Sequence, residues 1–240
     1  MAAAMKVLDV GCGTGFPLLE LAQRLGPSGM VHGVDQWDAA LARAQFKAQV
    51  TNVQNVILTK CDASQLPFSD AEFDLVVSNL GINNFRNPEG TLQECARVLK
   101  PSGKIALTTN LKGHMAEFYD AYEATLKSLD EKKALSVLYA YIDSRSTIDS
   151  IEKFFTRTGF KLTKVVQEGA TMRFVDGSSL LKHYFVKLGF LDAWKNIAQA
   201  ATTPESEVFR RLEENLNFLA HTSGVLELTI PIAYVEGQRL

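Results

Sequence analysis

The chain has 240 residues, a length that suits one α/β domain with added segments rather than several domains. Lysine and arginine total 25 and aspartate and glutamate total 27, so no basic field for nucleic acid is present. No apolar run approaches the roughly 18 residues of a membrane-spanning helix. The three cysteines are scattered and no signal peptide opens the chain, which together favour a cytoplasmic protein without disulfides.

The first predicted elements are a strand, a glycine turn and a helix. Residues 7–10 form a short, mostly apolar run that is typical of a buried parallel strand. Gly11, Gly13 and Gly15 follow, and glycines there let the main chain come close to a ligand. A helical pattern starts at Pro17, so its N-terminus would face whatever lies over the turn. A tight turn alone is the purely structural alternative.

Aspartates stand at the ends of the first three predicted strands. Asp35 follows the glycine loop by roughly 20 residues and could take both hydroxyls of a ribose, from either a dinucleotide or S-adenosylmethionine. Asp9 and Asp62 end the first and third strands. Ligands of open α/β sheets bind at the carboxyl ends of the strands, so we expect a ligand site there. Loop capping by each aspartate is the alternative.

The chain then alternates strands and helices up to Asn110, which predicts parallel strands with right-handed crossovers. We expect a helix with Asp38 as its N-cap, a helix capped by Asn87, and a bulge or break where Pro231 interrupts the last strand. The predicted strands are 31–34, 56–59, 73–78, 104–109, 160–167 and 225–235, and the strand at 160–167 could continue after Gly169 to Val175. The predicted helices after the second strand are 38–50, 87–99, 114–129, 130–142, a helix capped by Ser146 or Thr147, 178–199 and 205–221.

Five segments in the first half of the chain, VLDVGCGTG, GVDQ, CDASQLPF, FDLVVSNLG and RVLKPSGKI, resemble in order and spacing the motifs of class I S-adenosylmethionine-dependent methyltransferases. The similarity covers about residues 6–110 and points to the small-molecule branch that includes ubiquinone/menaquinone C-methyltransferases. It implies an α/β, Rossmann-like, doubly wound and mostly parallel seven-stranded sheet with an antiparallel last strand and helical insertions. We expect one methyltransferase domain over 1–240, a cofactor-binding core at 6–110, and helical cap or acceptor-site insertions at 111–145 and 176–223.

The resemblance also implies which residues bind S-adenosylmethionine. The glycine loop would hold the methionine part, Asp35 the ribose and Asp62 the adenine amino group, while the end of the fourth strand would border the sulfonium. Trp37 would border the adenine or, equally, belong to the core. The implied cofactor-binding residues are Asp9, Gly11, Cys12, Gly13, Asp35, Gln36, Asp62, Ala63, Asn79 and Leu80.

The implied reaction is in-line methyl transfer to a small molecule that accepts on oxygen, nitrogen or carbon. Positioning supplies much of such a rate, and a general base is needed only if the acceptor loses a proton. His32, inside the second strand, is interpreted as structural. No metal site is expected, because the cysteines are far apart in sequence. Candidate bases, each more simply read as a surface or core residue, are His114, Tyr119, His183 and Tyr184, with Tyr122 and His221 behind them.

Two other functions are open from the sequence. The first is a module that binds S-adenosylmethionine without catalysis, because the family usually has a few dozen residues before strand one and here that strand begins at about Lys6. The second is a nicotinamide-dependent oxidoreductase, which would usually carry GxGxxG where this chain has GxGxG. We expect the helical segments to supply the acceptor pocket and the cofactor to be unusually open to solvent.

Overall fold

The computed structural model describes residues 4–240. Strands and helices alternate along the first half of the chain, and helices dominate the second half. The strands are β1 (Lys6–Val10), β2 (Met30–Asp35), β3 (Val56–Lys60), β4 (Phe73–Asn79), β5 (Leu99–Asn110), β6 (Phe160–Phe174) and β7 (Leu226–Arg239). The helices are α1 (Leu18–Leu25), α2 (Asp38–Val50), α3 (Pro88–Val98), α4 (Ala116–Ser128), α5 (Lys132–Asp143), α6 (Ile148–Arg157), α7 (Gly177–Lys182), α8 (Tyr184–Gly189), α9 (Leu191–Gln199) and α10 (Glu205–Ser223).

One sheet contains all seven of these strands, in the order β3-β2-β1-β4-β5-β7-β6. Neighbours from β3 to β5 pair in parallel, and β7 pairs antiparallel with β5. The chain turns from one half of the sheet to the other between β1 and β4, which is the topological switch point where such sheets bind ligands. The predicted Rossmann-like, mostly parallel sheet with an antiparallel last strand is therefore confirmed.

The register brings the carboxyl ends of the first strands to one edge of the sheet. Asp35, which ends β2, pairs with Lys60 at the end of β3. Asn79, which ends β4, pairs with Thr108 of β5. The hydroxyl of Ser78 donates to the carbonyl of Val10 at 2.7 Å, which ties the ends of β4 and β1 together. Residues that follow these strands are thus held near one another by the sheet itself.

The chain divides into two compact units. The first comprises Met1–Asn110, described from residue 4, with Thr147–Gln167 and Ile232–Leu240, and the second comprises Leu111–Ser146 and Glu168–Pro231. Both predicted helical insertions, 111–145 and 176–223, fall within the second unit. The extent of the cofactor-binding core stays a prediction, as does the assignment of 1–240 to one domain.

Each unit has its own apolar core. In the first unit the short apolar runs of the strands supply fully buried side chains such as Val7, Leu8, Val31 and Val76. In the second unit the core is aromatic and helical. The rings of Phe118 and Trp194 stack with centroids 3.9 Å apart, and the hydroxyl of Tyr122 donates to the Trp194 carbonyl at 2.8 Å.

Helix starts follow the predicted caps with one exception. Asn87 caps α3 by accepting from the Gly90 N–H, and Thr147 rather than Ser146 caps α6. Asp38 was predicted as the N-cap of α2 but is its first helical residue, because Trp37 is the last residue with extended backbone.

The predicted single helix 178–199 is wrong. The segment forms α7, α8 and α9, with breaks at His183 and Phe190. The backbone at His183 is extended, and its Nδ1 accepts from the Phe185 N–H at 3.3 Å, so the side chain caps α8 instead of continuing α7. Apolar spacing runs through both breaks, which is why the sequence pattern concealed them.

Strand lengths also differ from the predicted ones. β5 begins at Leu99 instead of residue 104, because Leu99 already pairs with Phe73 across a register shift. β6 runs without interruption through Phe174, in agreement with the continuation past Gly169 that the sequence allowed. β7 is continuous through Pro231, so a break there is wrong, and the alternative of a bulge stays a prediction. Pairing with β5 ends at Ile232, so Pro231 lies just beyond that ladder, which does not need its missing N–H.

Candidate functional site

The glycine loop after β1 is fastened to β2 by its own main chain. The N–H groups of Gly11 and Cys12 both donate to the carbonyl of Val34, at 2.9 and 3.0 Å. Gly13 has a φ of 52°, in the region that favours glycine, and a Cβ there would meet nothing within 4 Å. The loop therefore presents an open backbone surface at Gly13 while its base is fixed.

Asp35 holds this loop from the neighbouring strand. Its Oδ2 accepts from the Gly13 N–H at 2.8 Å, and its Oδ1 accepts from the Trp37 N–H at 2.9 Å. A carboxylate oxygen has two lone pairs, so both oxygens keep capacity for a further donor such as a hydroxyl. The sequence predicted the position of Asp35 but not its bond to the glycine loop.

Asp9 is fully buried behind the loop, and neither of its carboxylate oxygens has a hydrogen-bond partner among the described residues. Burial raises the pKa of Asp9 from 3.8 to about 7, with a smaller upward contribution from the charge on Asp35. The Leu18 N–H lowers that pKa in part but lies outside hydrogen-bond geometry. Buried polar groups are normally satisfied, so an orphaned carboxylate here fits a site that receives a donor from a ligand.

Asp62 lies at the surface just after β3, followed by the buried Ala63. Its Oδ1 accepts from both the N–H and the hydroxyl of Ser64, at 2.9 and 2.8 Å. These two bonds hold the pKa of Asp62 below its usual value, and the side chain of the exposed Gln36 adds to the effect. Oδ2 takes part in neither of the two bonds from Ser64. Ser64 was missed, although Asp-x-Ser is a recognisable Asx-turn pattern.

The end of β4 is held rigidly. The Thr108 hydroxyl donates to Oδ1 of Asn79 at 2.7 Å, and the Leu80 N–H donates to the Thr108 hydroxyl oxygen at 3.0 Å. Leu80 adopts φ 58°, ψ 2°, a left-handed conformation that a leucine rarely takes. Such strain persists where surrounding contacts impose it, and it is frequent at functional sites.

Thiol chemistry has no support at this edge of the sheet. Burial raises the pKa of the Cys12 thiol far above its usual value, and that of Cys61 to about 11. Thiols of this kind are unreactive near neutral pH. Trp37 is 49% exposed, so the alternative that it belongs to the core is wrong. Among residues 4–240 no group of three or more metal-binding side chains comes together.

A cleft of about 750 Å³ lies on the first unit. Phe16, Arg24 and Leu75 belong to its lining, and so does Asn79. The cleft therefore reaches the strand ends at Asn79. None of Asp9, Gly13, Asp35 and Asp62 lines it, so it is adjacent to the predicted cofactor residues rather than formed by them.

The predicted bases lie in the second unit in different surroundings. Burial lowers the pKa of His114 to about 4, with help from the charge on Arg145, and raises that of Tyr119 well above its usual value. Both are thus neutral near pH 7. His183 is half-buried, and Tyr184 is 70% exposed with its ring 4.8 Å from the His183 ring. His32 is buried against Phe rings in the first unit.

Comparisons with known proteins agree with this fold. A demethylmenaquinone methyltransferase of Lactobacillus johnsonii is 41% identical over 101 residues, which is 42% of this chain and 41% of that protein. The chain spans about half the length of the curated relatives it matches, since a second such match covers 49% of its relative.

Solved structures share the architecture at low identity. The YcgJ protein of Bacillus subtilis has a TM-score of 0.63 at 19% identity, over 99% of this chain and 92% of that one. The cyclase SpnF has a TM-score of 0.58 at 18% identity, over 100% of this chain and 76% of that one. A sequence model of the methyltransferase domain matches residues 2–170, well over half of the chain. This chain therefore belongs to the methyltransferase domain family.

Proposed function

We propose that this chain binds S-adenosylmethionine at the carboxyl edge of the sheet and transfers its methyl group to a small molecule. The observation that carries the proposal is the bond between Asp35 and the Gly13 N–H, which joins the glycine loop to the end of β2 at 2.8 Å. This bond brings a carboxylate suited to ribose hydroxyls together with an open backbone surface at the switch point.

The residues present suit the cofactor chemically. Asp9 is an orphaned buried acceptor, Gly13 leaves room that a side chain would fill, and Asp62 keeps one carboxylate oxygen unused. We assign Asp9, Gly11, Cys12 and Gly13 to the methionine part, Asp35 to the ribose, and Asn79 and Leu80 to the sulfonium side. Asp62 is assigned to the adenine, with Gln36 and Ala63 beside it.

When bound, S-adenosylmethionine supplies an electrophilic methyl group on sulfur. The contribution of the protein is to hold the two reactants in line, which can supply a large part of a barrier reduction. The hydrogen bonds that lock Asn79 and Leu80 to Thr108 serve this purpose, because they fix the end of β4. A base would act only for an acceptor that must lose a proton, and His183 and Tyr184 are the more accessible of the four predicted candidates.

The acceptor is proposed to be a small molecule that takes the methyl group on oxygen, nitrogen or carbon. The relative from Lactobacillus johnsonii is named for demethylmenaquinone, which supports a small organic acceptor. Nucleic acid is a poor fit, because the chain carries a net charge of −2. The cysteines Cys12, Cys61 and Cys95 are all unpaired, which supports a reducing compartment such as the cytoplasm. No helix within residues 4–240 has the length and apolar character needed to cross a membrane.

Cofactor binding without methyl transfer is the second candidate function. The cyclase SpnF shares this fold, and one architecture can serve different reactions, so this second candidate is retained. Two measurements separate the candidates. Calorimetric titration with S-adenosylhomocysteine and, separately, with NADH should show binding of the first only. Transfer of labelled methyl groups to a panel of small metabolites should then show turnover. Binding of NADH instead would overturn the proposal, and binding without turnover on any acceptor would favour the second candidate.

A further inference from the structure

The second unit contains a cation with no acidic partner. Arg145, just after α5, is half-buried, and among the described residues no carboxylate lies within ion-pair distance of it. The other arginines of this unit all form ion pairs: Arg173 with Glu227, Arg210 with Glu207 and Glu214, and Arg211 with Glu207. Arg145 therefore differs from the other arginines of this unit. No carboxylate among the described residues compensates its charge, although it is at least as buried as they are.

An acidic residue is close to Arg145 in sequence but does not pair with it. Asp143 stands two residues before Arg145, but its carboxylate accepts from Lys112 at 2.7 Å. The nearest acid in sequence is thus committed to another cation. A partly buried guanidinium loses some of its hydration, and that loss is normally offset by an anion. Within residues 4–240 no carboxylate serves Arg145 in this way.

Aromatic rings form the surroundings of Arg145. The guanidinium lies 5.3 Å from the ring centre of Tyr141 and 5.9 Å from that of Phe190, and Nη2 donates to the Tyr141 hydroxyl at 3.0 Å. The ring of His114 stacks on Phe190 with centroids 5.7 Å apart and planes within 10°. Arginine carries five N–H donors, and the described residues accept only one of them.

His114 adds no charge to that of the Arg145 guanidinium near pH 7. It is 3% exposed, and its Nδ1 has no hydrogen-bond partner among the described residues. Burial lowers its pKa to about 4, so the ring is neutral near pH 7, and Tyr119 and Tyr141 are the other titratable side chains at this cluster. The cluster therefore presents one fixed guanidinium, an unpaired ring nitrogen and an apolar aromatic wall.

We propose that Arg145 binds the carboxylate of an aromatic small molecule, with Tyr141, Phe190 and His114 as the rings around it. This ligand site lies within the second unit and is a further binding activity, separate from the proposed function. A planar guanidinium binds a carboxylate through two parallel N–H bonds, and its free donors allow that geometry.

The test compares two probes of the same shape, 2-naphthoate and its neutral amide, 2-naphthamide. Binding is followed by calorimetry and by the side-chain Nε–H signals of arginine in protein labelled with ¹⁵N-arginine. We expect the wild-type protein to bind naphthoate at least about tenfold more tightly than the amide, with the Arg145 signal shifting most. Each titration is made with and without S-adenosylhomocysteine.

Three variants make the result specific. R145Q keeps length and hydrogen bonding but removes the charge, so its preference for naphthoate should fall to within about twofold. R145K keeps the charge without the planar fork and should retain part of the preference. R210Q is the matched control, because it removes an exposed, paired arginine of the same unit and should leave the preference unchanged. Far-ultraviolet circular dichroism confirms that each variant is folded.

Equal binding of the two probes by the wild-type protein, no binding of naphthoate, or an undiminished preference in R145Q would overturn the proposal. Its failure is distinguishable from failure of the proposed function. If the wild-type protein does not bind S-adenosylhomocysteine, only the cofactor assignment is refuted, because the naphthoate titrations without cofactor test Arg145 independently.

Discussion

The carboxylate of Asp35 accepts a hydrogen bond from the N–H of Gly13, 22 residues earlier in the chain, at 2.8 Å. One side chain at the end of β2 therefore both fixes the loop after β1 and offers its remaining lone pairs to a ligand. Ligand binding and the order of the glycine loop are therefore coupled through this residue.

Replacement of Asp35 by alanine should weaken S-adenosylhomocysteine binding by about 1.5–3 kcal/mol, the range for hydrogen bonds to a charged group. The fold should survive, because the residue ends a strand at the edge of the sheet. Isothermal titration calorimetry measures the change. Asp38→Ala is the control, since Asp38 is exposed and pairs with Lys60. An unchanged affinity in Asp35→Ala would show that the ribose assignment is wrong.

Gly13→Ala should abolish detectable cofactor binding while the protein stays folded. The new Cβ meets no protein atom within 4 Å, so it would occupy the open space where we place the cofactor. A non-glycine residue at this positive φ also loses about 1–2 kcal/mol of stability. Gly224→Ala is the matched control, because Gly224 is left-handed at φ 81° and its Cβ also faces open space. Both variants should melt lower than wild type, but only Gly13→Ala should lose binding; equal binding in the two would place the ligand elsewhere.

Asp9 should make the stability of the protein depend on pH. Its folded pKa is raised from 3.8 to about 7, so between these values the folded state holds a proton that the unfolded state has released. The free energy of unfolding of the wild-type protein should therefore fall as pH rises through this range, by at most about 1.4 kcal/mol per pH unit from this group. Above about pH 7 the contribution should be constant.

Asp9→Asn removes this titration and keeps the shape of the side chain. Urea unfolding of both proteins, from about pH 4 to about pH 8, should show the variant gaining on the wild type as pH rises to 7. Parallel stability curves over that range would mean that Asp9 is ionised in the folded protein and has a partner there.

The sequence was sufficient for the strand-turn-helix start and for the strand-end positions of Asp9, Asp35 and Asp62. These depend on short-range patterns, namely apolar runs and glycine spacing, which specify local structure. The bond from Asp35 to Gly13 could not be predicted in this way, because it joins residues whose proximity arises only when β1 and β2 pair.

Charge pairing in the second unit is a similar case. Asp143 and Arg145 are close enough in sequence to suggest an ion pair, yet Asp143 binds Lys112 from the start of the unit. The breaks at His183 and Phe190 also escaped detection, because apolar residues continue at helical spacing through both. The pairing of Asp143 is decided by a contact with a distant segment, and the break at His183 by a local side-chain cap that the apolar spacing conceals.

Asp62 is expected to bind the amino group of the adenine that the cofactor carries. Ser64 occupies Oδ1 of Asp62 with two donors, which leaves Oδ2 to accept from an adenine amino group. The wild-type protein should therefore prefer S-adenosylhomocysteine to S-inosylhomocysteine, whose hypoxanthine presents a carbonyl oxygen in place of that amino group. The expected preference is at least about tenfold, because the analogue sets two acceptors against each other.

Asp62→Asn should reverse this preference. With Ser64 donating to the amide oxygen, the asparagine would direct its NH₂ group to the position of Oδ2, where it can donate to the hypoxanthine carbonyl but not accept from adenine. Competition titrations with the two nucleosides measure the ratio of affinities in each protein. Asp70→Asn is the control, since Asp70 is exposed and pairs with Arg97. A preference that Asp62→Asn leaves unaltered would show that Asp62 does not contact the base, and the adenine would then have to be bound by other residues that follow β2 and β3.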